Sequence, residues 1–135
     1  MDRQPARTLP ASGQEPRGFD PQALCQRLQL SPAAHRQICA LGQGEIAQRV
    51  QALASPGVSA LDAAALERLL HGLASSLQLA GDAGLGAAFR ALERGLREQT
   101  CGPEQACCQA RALLPALQAT QQALARYVAG GAAGA

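Results

Sequence analysis

The chain has 135 residues, 47% of them hydrophobic but only 2% aromatic, with a formal net charge of +2. That length suits one domain with its own core, and the wealth of Ala and Leu beside few β-branched or aromatic residues argues against a sheet protein. Every basic residue is Arg, and the Arg residues are dispersed with almost no aromatic rings to stack on bases, which excludes a nucleic-acid groove.

Residues 1–18 are polar, with three Pro and two Gly, and read as a disordered leader or linker. They lack the apolar segment of a secretory signal. No uncharged apolar run of about 18 residues occurs, so no membrane insertion is expected. The folded region is expected over 19–129, with 130–135 a disordered tail.

Asp20-Pro21 is an N-cap followed by Pro at the first helical position, and it opens a short helix with Leu24 and Leu28 on one face. Ser31-Pro32 repeats the device and opens a longer segment to about Leu53. There Ile38, Leu41, Ile46, Val50 and Leu53 recur at helical spacing, while Gly42 and Gly44 each weaken the helix by roughly 1 kcal/mol relative to Ala. Ser55-Pro56-Gly57 predicts a turn. Ser59, with Asp62 three residues on, resembles a capping box and predicts a helix over 59–80. Its apolar stripe is Leu66, Leu69, Leu70, Leu73, Leu77 and Ala80, and Gly81 supplies the stop.

Leu85, Phe89, Leu92 and Leu96 form the next stripe, opposite Arg90, Arg94, Arg97 and Glu98. Gly102-Pro103 begins the last helix, with Cys107, Ala110, Leu114, Leu117, Leu124 and Val128 in phase. Pro115 should kink or divide it. The expected fold class is all-α: an antiparallel four-helix bundle with a short N-terminal extra helix.

The five Cys residues, Cys25, Cys39, Cys101, Cys107 and Cys108, are odd in number and do not follow a zinc spacing. Free thiols in a reducing cytoplasm are the expectation, with no bound metal.

The chain's two His residues differ in context. His35 has no motif around it and reads as an incidental surface residue. His71 lies across the 59–80 helix from its apolar stripe, on a face shared with Ala64, Glu67, Arg68, Ala74, Ser75 and Gln78. An exposed imidazole offers a neutral nitrogen near pH 7 that can accept a phosphoryl group and release it. A surround of small residues lets a partner approach closely.

The segment Leu69 to Gly81, LLHGLASSLQLAG, resembles the histidine-containing phosphotransfer family of bacterial phosphorelays, whose pattern is close to A-H-x-L-K-G-x-A-x-x-x-G. His71, Leu73 and Gly81 fall on it. The run LGAAFRALE from Leu85 to Glu93 is similar to the family's next helix, and Phe19 to Leu24 with Leu28 is similar to its opening. The likeness spans about residues 19–129. It implies a four-helix bundle with His71 exposed at mid-helix as the phosphoacceptor. It also implies receiver domains of response regulators as partners, with Mg²⁺ held by the receiver and no cofactor in this chain. The family usually has Lys and Gly where this chain has Ala74 and Ser75, and that Lys is thought to help the phosphoryl group electrostatically.

Ser75, whose hydroxyl could bond a phosphoryl oxygen, and Gln78 are the supporting candidates. No Gly-rich phosphate loop or kinase motif is present. The expected role is therefore a cytoplasmic phosphocarrier without its own ATP site, either free-standing or the C-terminal part of a hybrid sensor histidine kinase. Two alternatives stay open: a degenerate module that docks receivers without transfer, and a helical adaptor unrelated to relays.

Overall fold

The computed structural model describes residues 18–130. The expected leader and tail lie outside them, except for Gly18 and Gly130. Among the described residues the chain is all-helical: α1 Pro21–Leu28, α2 Pro32–Ala54, a 3₁₀ turn Pro56–Ala60, α3 Ala63–Ala80, α4 Ala83–Arg97, α5 Pro103–Ala112 and α6 Leu114–Val128. No described helix is long and apolar enough to cross a membrane.

The helix starts follow local chemistry. The Asp20 carboxylate accepts from Ala23 N at 3.0 Å, and the Ser31 hydroxyl accepts from Ala34 N at 3.0 Å. Helix α2 continues through Gly42 and Gly44, because Cys39, Ile46, Val50 and Leu53 pack on the core and tertiary burial outweighs propensity. Leu41, expected on the apolar face, is instead 87% exposed.

Helix α3 starts later than expected. Asp62, not Ser59, is the N-cap, accepting from Ala65 N at 2.8 Å. Ser59 belongs to the preceding 3₁₀ turn, where its hydroxyl donates to Pro56 O. A carboxylate also interacts more favourably with a helix N-terminus than a hydroxyl does. At the other end Gly81 adopts φ +113°, and an added Cβ would lie 3.0 Å from the Pro21 backbone. The last helix is divided: α5 ends at Ala112, and α6 opens with Leu114-Pro115, because Pro115 has no N–H to continue the ladder.

Helices α3 and α4 share the most extensive packing; α2 lies against both α3 and α6, and α5 against α4. Leu53, Leu66, Leu70, Leu73, Leu77, Phe89, Leu117 and Leu124 are buried between them. Asp82 ties the α3–α4 connection to α6. One of its oxygens caps α4 through Leu85 N, and the other accepts from Thr120 Oγ1 at 2.6 Å.

His35 corrects the expectation of an incidental surface residue, since it is 0% exposed. It precedes Cys39 by four residues and shares its buried face. Its Nε2 lies 2.8 Å from Leu79 O, and its Nδ1 lies 2.8 Å from the Tyr127 hydroxyl. A carbonyl only accepts, so Nε2 carries the proton and Nδ1 accepts from Tyr127. This arrangement joins α2, the end of α3, and α6. Phe19 meets the Tyr127 ring edge-on at 6.2 Å, adding the segment before α1.

Burial pushes the Cys39 thiol up to about 11, with neighbouring Cys25 adding to the shift. Burial, followed by the effects of Cys25 and Cys39, pushes the Tyr127 hydroxyl up to about 12 against a weaker opposing effect of Arg36. Both folded values are raised, so the unfolded chain loses these protons first as pH rises. Their stabilisation is whole below pH 9, the ordinary thiol value, and is lost as pH climbs to about 12. Melting temperatures taken from pH 8 to pH 11 should therefore fall less steeply for Cys39→Ala than for the wild type. Parallel slopes would show that the thiol does not contribute.

Candidate functional site

Helix α3 turns Leu66, Leu70, Leu73 and Leu77 into the core, which leaves His71 on the outside with 62% of its side chain exposed. Three contacts to α4 run in opposite order along the two helices and make the pair antiparallel: Glu67 with Arg97, His71 with Glu93, and Gln78 with Arg90.

The middle contact is the centre of the site. His71 Nδ1 lies 3.0 Å from Glu93 Oε2, and the Glu93 side chain is only 7% exposed. A buried acid is costly unless its charge is met. Arg97 NH1 meets it, donating to the same Oε2 at 3.0 Å while lying 3.7 Å from Glu67. An ionised carboxylate only accepts, so His71 Nδ1 is the protonated nitrogen. In the neutral ring Nε2 then carries the lone pair, and it has no hydrogen-bond partner among the described residues.

Glu93 is not among the candidates that the sequence motif marks. The available signal was its phase: it follows Phe89 by four residues and precedes Leu96 by three, which puts an acid inside an apolar stripe. Arg49 was also missed. It reaches from α2 over Gly72, where an added Cβ would run into its Nε, and it contacts Ser76 Oγ and Glu45 at 3.3 Å each. A side chain at position 72 would displace the Arg49 guanidinium from this place.

The other expected neighbours divide. Ser75 is exposed one turn beyond His71 and makes no side-chain hydrogen bond among the described residues. Gln78 is turned to α4, where its Oε1 accepts from Arg90 at 2.7 Å. Ala74 was expected on the exposed face but is 0% exposed. It follows Leu70 by four residues and packs where α4 comes closest, with its carbonyl 3.2 Å from the position of a Cβ on Gly86.

The open grooves between α2 and α6 (about 760 Å³) and between α4 and α6 (about 440 Å³) do not include His71. Among the described residues no group of three or more His, Cys, Asp or Glu is placed to hold a metal ion. Comparison of the chain with protein-family models, with curated proteins and with solved structures finds no match.

Proposed function

We propose that the domain is a histidine phosphotransfer module, a four-helix bundle formed by α2, α3, α4 and the divided α5–α6. In this reading His71 takes a phosphoryl group from the aspartate of a receiver domain and passes it to another. The observation that carries the reading is the exposed His71 whose Nδ1 is held by the buried Glu93.

The step balances without a proton transfer. Nε2 attacks phosphorus, the Nε2–P bond forms, and the P–O bond to the aspartate breaks with its electron pair leaving on the carboxylate. The ring, already protonated at Nδ1, becomes cationic. Glu93 stands 3.0 Å from that proton and stabilises the charge as it appears. The ring's position outside the grooves suits delivery from a second protein's active site. Mg²⁺ would belong to the receiver's acidic pocket, and the module would work in the cytoplasm, with or without a sensor kinase attached.

The docking-only alternative is favoured by one observation: buried Ala74 supplies no cation where the resembled family has Lys. Replacing His71 by Gln separates the two. With a labelled, phosphorylated receiver, the wild type should become labelled and the variant should not, while both bind the receiver. A wild type that binds without taking label would establish docking alone.

A further inference from the structure

A phosphoryl group on Nε2 would bring close to two negative charges and three acceptor oxygens to the exposed side of α3. Electrostatic stabilisation of such a group calls for a positioned cation. Of the Arg residues nearby, Arg97 is already shared by Glu93 and Glu67, Arg49 is paired with Glu45, and Arg90 donates to Gln78. Arg94 is exposed and its side chain has no hydrogen bond or ion pair among the described residues, but it stands on α4, the helix that Nδ1 faces; Arg68, on α3, is exposed and likewise has none.

Its direction follows from the helix. At about 100° per residue, Glu67, Ala74 and Gln78 fall on one side of His71, and all three are on the α4 side. Arg68 and Ser75 fall on the other. Glu93 holds Nδ1 toward α4, so Nε2 is the nitrogen turned toward the side that carries Arg68. Helical side chains lean toward the N-terminus, so the imidazole overlies the turn of Arg68 rather than that of Ser75. Residues three apart have Cβ atoms only about 5–6 Å from each other, well within the reach of a guanidinium fork that binds two phosphoryl oxygens at once.

We propose that Arg68 is a catalytic residue of this module and binds the phosphoryl oxygens on His71 Nε2, a role that rests on the phosphocarrier reading above. The placement is opposite in sense to the family's usual Lys, since the cation comes from the turn before the histidine.

The test uses the small donor phosphoramidate, so that receiver docking plays no part. Its P–N bond breaks and ammonia leaves as the Nε2–P bond forms. The rate of His71 labelling is measured for the wild type, Arg68→Ala, Arg68→Lys and Arg94→Ala. Arg94 is exposed on α4 beside Arg90 and Arg97, so its loss removes the same charge from the helix that Nδ1 faces rather than from the side that Nε2 faces. Arg68→Ala should label about tenfold more slowly or worse, Arg68→Lys should be intermediate, and Arg94→Ala should match the wild type. Added guanidinium ion should restore part of the rate to Arg68→Ala. Wild-type labelling by Arg68→Ala would overturn the role of Arg68 and leave the phosphocarrier reading intact. Equal slowing by Arg94→Ala would reduce the effect to net charge and also overturn it. A wild type that takes no label at His71, from phosphoramidate or from receivers, would remove the phosphocarrier reading and this inference together.

Discussion

Replacing His35 by Ala is expected to destabilise the fold by about 3–5 kcal/mol. Two effects combine. The substitution leaves a cavity at a site with 0% exposure, and it removes the 2.8 Å partners of Leu79 O and of the Tyr127 hydroxyl, which keeps only a longer bond to Pro32 O at 3.5 Å. For a domain of this size that corresponds to a drop in Tm of roughly 10–20 °C. Tyr127→Phe should cost less, about 1–3 kcal/mol, since it removes one hydroxyl and leaves only Nδ1 unmatched. Denaturant titrations of the two variants check the ordering. A cost below about 1 kcal/mol for His35→Ala would mean that the cluster does not hold α2, α3 and α6 together.

Replacing Glu93 by Gln is expected to slow labelling of His71 by about 10–100-fold, the loss seen when the carboxylate behind a metal-binding histidine is removed. The substitution keeps the side chain's size, so the packing beside Phe89 and Leu96 is preserved. It removes the charge that balances the ring cation, and it introduces an amide that can present either N or O to Nδ1. The proton then distributes between the two ring nitrogens, and Nε2 is no longer always free. ¹⁵N chemical shifts of the imidazole read that distribution independently of any transfer assay. Wild-type labelling with an unchanged tautomer in Glu93→Gln would show that the 3.0 Å contact has no part in the chemistry.

How far the sequence carried these conclusions depends on the range of each interaction. Caps and stops are local, and Asp20, Ser31 and Gly81 end or begin helices where their neighbours in sequence say they should. Ser59 misled because Asp62 offers a second acceptor three residues on, and the choice was made by the 3₁₀ turn that holds Ser59. On α2 the apolar residues fit more than one phase. The stripe through Ile38 and Leu41 and the stripe through His35, Cys39 and Ile46 differ by a fraction of a turn, and packing against α3 and α6 selects the second.

The candidate site shows the same division. The exposure of His71 follows from the Leu stripe of its own helix. Its one hydrogen-bond partner among the described residues, Glu93, comes from α4 and is itself met by Arg97, while Arg49 reaches in from α2 over the neighbouring Gly72. Glu93 was legible as an acid in a buried phase, although its partner was not. Ala74 lay close enough to the edge of the buried arc that only the proximity of α4 decided its side.

The most direct measurement of the central claim is the position of phosphorus after the wild-type domain has been exposed to a phosphorylated receiver. On ¹⁵N-labelled protein, ³¹P–¹⁵N coupling should place the phosphoryl group on Nε2 of His71, with Nδ1 still protonated and facing Glu93. Phosphorus found on Nδ1, on another residue, or not transferred at all from receivers that bind would contradict the account.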